Sequence, residues 1–210
     1  MRRVAVTLVL SGMLLGLSGC GQELGMNSLS FGRGGEVTHQ IIGKTDQDYY
    51  QIDKGELEDF AALRVEEYCA LNGEEKVSLE AVKEKDGSLI LNFKYASPED
   101  YSGFNNRTLY VGTLAEAADA GYEMEAVPLV SPKGEAAEAG DIEEWDKIGL
   151  VVLETRSGEE MLVSLPGKIL YVNQSAGSGQ ELTFEGKKRV KISNQEEEGV
   201  FALCYIIYEK

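Results

Sequence analysis

Apolar positions along this chain follow two spacings, one helical and one alternating. The helical spacing is clearest at Leu57, Phe60, Ala61, Val65, Tyr68 and Leu71, with Glu58, Asp59, Glu66 and Glu67 mostly on the other side. Asp53 followed by Glu56 supplies an N-cap and capping-box start, and Asn72-Gly73 a stop, so a helix is predicted over 54–71. Before it, Ser28 to Ile42 holds two short β-prone pieces around Arg33-Gly34-Gly35, most simply a hairpin. After it, Val77 to Lys85 and Ser88 to Ala96 flank Asp86-Gly87, a strong two-residue hairpin turn. Leu89, Leu91, Phe93 and Tyr95 alternate with Asn92 and Lys94, which gives that second strand one apolar face. Ser97-Pro98-Glu99-Asp100 reads as the start of a short helix towards Asn105, with its cap, its proline and its acids in place. Arg107 to Val111 reads as a strand, and Thr113 with Glu116 opens a short Ala-rich helix that Gly121 ends.

Beyond Gly121 the pattern is mainly β. Tyr122 to Val130 is extended, with Pro128 arguing for an edge position, and the acidic stretch Gly134 to Asp146 reads as a weak helix or loop. Six strands follow: Ile148 to Thr155, Met161 to Leu165, Lys168 to Val172, Glu181 to Glu185, Val190 to Ser193 and Val200 to Tyr208. The last is apolar at nearly every position, the mark of a central strand buried on both faces. With helices early and strands late, the expected class is α+β: an amphipathic helix packed on an antiparallel sheet, with a β-rich C-terminal half. One domain over 29–210 is expected, with a subdivision near residue 122 as the alternative.

The N-terminus changes the picture of where such a domain works. Arg2 and Arg3 precede an apolar run, Val4 to Leu17, that is too short for a comfortable membrane span of roughly 20 residues. Leu17-Ser18-Gly19-Cys20 then resembles the lipobox of bacterial lipoproteins. That resemblance implies cleavage of residues 1–19 as a signal peptide and a diacylglycerol on the Cys20 thiol. Residues 20–28 become a short lipidated tether, and the domain sits on the extracytoplasmic face of the cell membrane. A second resemblance runs from Ser28 to Tyr122, carried by Asn27-Ser28-Leu29-Ser30-Phe31-Gly32-Arg33-Gly34-Gly35-Glu36-Val37-Thr38-His39, Lys94-Tyr95-Ala96-Ser97 and Tyr110-Val111-Gly112-Thr113. In these segments the chain is similar to small lipoproteins of Gram-positive gut bacteria. It implies export and lipidation and brings no catalytic residues.

Charge narrows the partners. The chain holds 36 Asp and Glu against 20 Lys and Arg, a formal charge of −16, and loss of Arg2 and Arg3 makes it 18 − 36 = −18. Such a surface repels phosphate backbones, so no nucleic-acid partner is expected. The longest basic run, Lys187-Lys188-Arg189, reads as a loop entering a strand. Besides the membrane, the expected partner is a small ligand or an envelope protein.

Chemistry is sparse. His39 is the only histidine, and neither Cys-x-x-Cys nor His-Glu-x-x-His occurs, so no metal and no cofactor is expected. There is no Gly-x-Ser-x-Gly elbow, and Cys69 and Cys204 are expected as buried free thiols, with a disulfide as the alternative. Acids are too numerous for any pair to stand out as glycosidase-like. Arg64 falls near the apolar stripe of the 54–71 helix and either snorkels outwards or forms a shielded ion pair in an anion pocket. Tyr49, Tyr50 and Trp145 lie in or near loops, where aromatics serve either minor packing or ligand contact. The candidate binding residues are therefore Arg33, His39, Tyr49, Tyr50, Arg64 and Trp145, and no catalytic residue is assigned. A non-enzymatic binding or accessory module is the expected function. A hydrolase acting on wall or glycan material through a carboxylate pair is the alternative.

Overall fold

A computed structural model describes residues 25–44, 46–47, 50–51, 53–173, 179–195 and 201–210. Residues 1–19, expected as a signal peptide, Cys20, expected as the lipidated cysteine, and Tyr49 lie outside the described residues. The chain opens with strands β1 (Asn27–Phe31) and β2 (Val37–Lys44), then the short pair β3 (Asp46–Gln47) and β4 (Tyr50–Gln51). Helix α1 (Lys54–Asn72) leads into β5 (Val77–Lys85) and β6 (Ser88–Tyr95), and α2 (Pro98–Asn105) into β7 (Leu109–Thr113). The rest is strand: β8 (Pro128–Val130), β9 (Ala136–Glu138), β10 (Ile148–Arg156), β11 (Glu160–Ser164), β12 (Ile169–Asn173), β13 (Gln180–Phe184), β14 (Arg189–Asn194) and β15 (Phe201–Glu209).

Local chemistry accounts for most boundaries. Asp53 caps α1 by accepting from the backbone N–H groups of Gly55 and Glu56, at 2.8 and 3.1 Å. Gly73, at φ 113°, closes it by donating to the Cys69 carbonyl. Asp86 and Gly87 both take positive φ, 50° and 71°, as a type I′ hairpin turn demands. Ser97 caps α2 through the Asp100 N–H, and Pro98 occupies its first turn.

The expected α+β layering is overturned. Strands form one sheet ordered β13-β14-β11-β1-β2-β6-β5 and a second ordered β7-β10-β15-β12-β8-β9, which makes a β-sandwich with two peripheral helices. A single core cluster draws Leu29, Val37, Phe93 and Val163 from the first sheet and Val151, Leu153, Cys204 and Ile206 from the second. Pairing is not wholly antiparallel either, since β1 runs parallel to β11 with Leu29 opposite Val163. The helix pattern misled because α1 buries only Ala61 fully and leaves Phe60, Leu63 and Leu71 exposed. It flanks the sheet and does not form a layer of its own.

The final strand is central, as its apolar run implies. β15 sits between β10 and β12, with Cys204, Ile206 and Tyr208 facing the sandwich interior. Leu203, Tyr205 and Ile207 face outwards into a second cluster, roofed by Leu114, Ala117 and Met124 of the 114–127 connection. Leu150, Val151, Val152 and Leu153 of β10 are fully buried, each contributing about 1.5–3 kcal/mol. That outer cluster is why a loop-rich stretch between β7 and β10 is needed: without it the second sheet would leave an apolar face in water.

Other expectations shift in detail. Thr113 and Glu116 do form their capping box, the Glu116 carboxylate accepting from the Thr113 N–H at 2.8 Å and Thr113 Oγ1 accepting from the Glu116 N–H at 3.2 Å. The run to Gly121 is a series of turns, however, not a helix. Pro128 opens β8, one strand in from the edge, where a missing N–H is tolerated at a strand's first residue. The Gly134–Asp146 stretch forms β9 and a 3₁₀ turn over Ala139–Asp141. Cys69 and Cys204 are free, and burial pushes the Cys204 thiol far up, so it behaves as an inert apolar side chain.

Candidate functional site

The β1–β2 hairpin reaches one end of the sandwich, and its tip meets three other segments there. Gly32, Arg33 and Gly35 form one wall of a cleft of about 680 Å³. Val111 and Gly112 of β7 add a second wall. The β11–β12 turn contributes Pro166, Gly167 and Lys168, Lys188 enters from the start of β14, and Tyr208, Glu209 and Lys210 come from the end of β15. The parallel pairing of β1 with β11 brings two of these walls together, because Ser30 opposite Ser164 puts the turn after β11 beside the hairpin tip.

Of the described charged residues lining this cleft, four are cations, Arg33, Lys168, Lys188 and Lys210, and one is an acid, Glu209. Lys168 Nζ lies 3.1 Å from Glu209 Oε1, and Lys188 Nζ donates to the Pro166 carbonyl at 2.6 Å. That carbonyl bond holds Lys188 at the rim without neutralising it. Glycine is required at Gly167, where a Cβ would stand 1.6 Å from the Glu209 carbonyl oxygen. Its absence lets the end of β15 close against the β11–β12 turn, which is what carries Lys210 into the cleft. Glu36 folds its carboxylate over Gly32 and Gly34, so a side chain at either position would have to displace it.

A second cavity, about 460 Å³, lies between α1 and the free end of the first sheet. Leu57, Phe60 and Ala61 of α1 face Ile41 of β2 and Leu89, Leu91 and Phe93 of β6, with Phe104 of α2 at one end. Its charged lining residues are Lys44 and Arg64. The Arg64 guanidinium sits 5.8 Å from the centroid of the Phe104 ring, a cation–π distance. Arg64 is exposed, in line with the snorkelling reading, and is also tied to this aromatic wall.

His39 belongs to neither cavity. It lies on β2 with 6 % of its surface exposed and meets the Tyr101 ring edge-on at 5.4 Å. Burial, and then the nearby Arg107 charge, holds its pKa down to about 4, so it is neutral near pH 7. Its Nδ1 and the hydroxyls of Tyr95 and Tyr101 are buried without hydrogen-bond partners. Beside this cluster Arg107 Nη1 meets Glu159 Oε1 at 2.6 Å, both side chains mostly buried. Trp145 is half-buried against the outer cluster of the second sheet, and Tyr50 pairs its backbone with Gln47 in β3.

The six candidate binding residues are thus scattered. Arg33 enters the cleft, Arg64 the groove, His39 the core and Trp145 the outer roof. What the sequence reading missed are Lys168, Lys188 and Lys210, each embedded in an unremarkable turn or strand end. The one available signal was the Lys187-Lys188-Arg189 run, whose place at the entry to β14 is as expected. Among the described residues no group of three or more His, Cys, Asp and Glu side chains could hold a metal ion, and no helix is long and apolar enough to cross a membrane. Comparison of the chain with protein-family models, with curated proteins and with solved structures found no match.

Proposed function

We propose that this protein is a non-enzymatic binding module of the cell envelope, held to the membrane by lipid on Cys20, that takes a small anionic ligand in the cleft at the β1–β2 tip. The observation carrying this reading is the convergence of Arg33, Lys168, Lys188 and Lys210 from four separate segments in a chain of net charge −16. Local reversal of the overall sign focuses an anion into that cleft, while the acidic remainder turns away long polyanions. The placement also suits an anchored protein. The described chain enters at Gly25, beside the start of β1, and the cleft lies at the opposite end of that strand, about 17 Å away. Among the described residues neither the cleft nor the groove is lined by two carboxylates, so the hydrolase alternative gains no support from them.

Titration with inorganic phosphate and with citrate tests the cleft. At a hundredfold excess over the dissociation constant, a bound anion should stabilise the fold by about 2.7 kcal/mol. The Arg33→Glu/Lys188→Glu variant, altered at two solvent-reaching side chains, should fold normally and lose that stabilisation. Equal stabilisation of variant and parent by both anions would remove the cleft from consideration.

The anchor has its own test. A lipid on Cys20 contributes about 0.8 kcal/mol per buried methylene, enough over its acyl chains for firm attachment. Cys20→Ser should move the protein from the detergent phase to the aqueous phase, or leave it unprocessed. Unchanged partitioning would refute lipidation at that residue.

A further inference from the structure

We infer that the groove between α1 and the first sheet is a second binding site, for a single-chain anionic amphiphile with its acyl tail in the groove and its acidic head at Arg64 and Lys44. Three observations converge on this occupant. The walls are apolar and partly aromatic, from Leu57, Phe60, Leu91, Phe93 and Phe104, and the volume, about 460 Å³, falls in the range of small-molecule pockets. Among the described residues the charged groups lining the groove, Lys44 and Arg64, are both cations, so head-group complementarity selects an anion. Among the described residues neither Arg64 nor Lys44 forms a salt bridge, which leaves both charges available.

The third observation is position. Asn27 Oδ1 accepts from the Ile42 N–H at 2.8 Å, and the Met26 carbonyl accepts from Gln40 Nε2 at 3.4 Å. The N-terminal entry of the chain is therefore fastened beside Ile41 and Gly43, which line the groove. If Cys20 carries lipid, as proposed above, that end of the molecule faces the bilayer, the natural source of an acyl chain. The charge and wall arguments stand without that reading.

The exposed surface of α1 fits the same picture. Phe60 is 60 % exposed and Leu63 52 % exposed, on a helix that buries only one residue fully. An apolar chain lying along the groove would cover Phe60, whose present exposure has no structural return.

The test is calorimetric titration of the full chain in nanodiscs with three twelve-carbon probes at submicellar concentration: laurate, dodecyltrimethylammonium and dodecylmaltoside. Saturable one-to-one binding of laurate is expected, with the cationic probe weaker by at least about tenfold. Arg64→Glu should reverse that preference, and Phe60→Ser should weaken laurate without changing it. Both positions are solvent-exposed, so folding is preserved, and bilayer partitioning is common to all variants and cancels. Equal affinity for all three head groups, or laurate binding unaltered in both variants, would overturn the proposal. A concentration-dependent dimer abolished by Phe60→Ser, without saturable laurate binding, would assign the groove to a second copy of the chain instead. Loss of phosphate and citrate binding by the cleft variant with laurate binding intact would separate the two sites, so either reading can fail alone.

Discussion

Glu159→Ala is expected to destabilise the protein by about 3 kcal/mol, the scale for removing one partner of a buried pair. Arg107 and Glu159 meet at 2.6 Å with only 17 % and 11 % of their side chains exposed. Glu159 does a second job, since its other oxygen accepts from the Arg156 N–H at 2.9 Å and shapes the β10–β11 turn. Its loss leaves the mostly buried guanidinium beside Tyr101 and His39 without its carboxylate partner. For a chain of this size the melting temperature should fall by about 6–12 °C. Lys147→Ala is the contrasting control: its pair with Glu144 is 65 % and 64 % exposed and should cost less than about 0.5 kcal/mol. Arg107→Met/Glu159→Leu should recover the part of the loss that comes from the orphaned charge, while the Arg156 N–H contact stays lost. Denaturant midpoints decide it. A Glu159→Ala effect as small as that of Lys147→Ala would show that the pair carries no net stability.

The strands were legible because their signals are local. Asp86-Gly87, Ser157-Gly158, Pro166-Gly167 and Glu185-Gly186 mark turns whatever the sheets do, and alternation between them sets each strand. The layering was not legible, because it depends on pairings such as Leu29 with Val163 that no window spans. The helical stripe of α1 compounded the error. Phe60 and Leu71 share the period of a buried face, yet both stay exposed, at 60 % and 87 %. β15 was read correctly because burial on both faces removes alternation itself, and that is visible in eight consecutive residues. Half of the β7–β10 connection was misassigned for the same physical reason in reverse: its apolar residues serve the outer cluster and follow no period.

The cleft shows the same divide. Arg33 could be singled out, flanked as it is by glycines at a hairpin tip. Its partners could not, because Lys168, Lys188 and Lys210 become neighbours only through the parallel β1–β11 pairing and the closure of β15 against Gly167. His39 stood out as the lone histidine, and its chemistry proved to be that of a core residue. His39 stands two residues from the apolar positions Val37 and Ile41 and so shares their face of β2, which was the available clue.

That burial has a measurable consequence in mild acid. The folded pKa of His39, about 4, lies below the value near 6.5 that it regains in the unfolded chain. As pH falls, the unfolded state therefore binds a proton first, and stability falls with it. The contribution is intact above about pH 6.5 and is lost progressively down to about pH 4. Over that window the difference, about 2.5 units at 1.36 kcal/mol each, amounts to about 3 kcal/mol. Arg107 reinforces the direction, since a second cation beside it is disfavoured, and among the described residues Nδ1 has no hydrogen-bond partner. His39→Gln removes the titration while keeping a polar side chain of similar reach. Urea midpoints of the two proteins should differ little in slope between pH 7 and 8. Between pH 6.5 and 4 the parent should lose about 3 kcal/mol more than the variant. Carboxylate protonation is common to both proteins and drops out of the comparison. Parallel pH profiles for parent and variant would show that His39 takes up its proton in the folded state as readily as in the unfolded one.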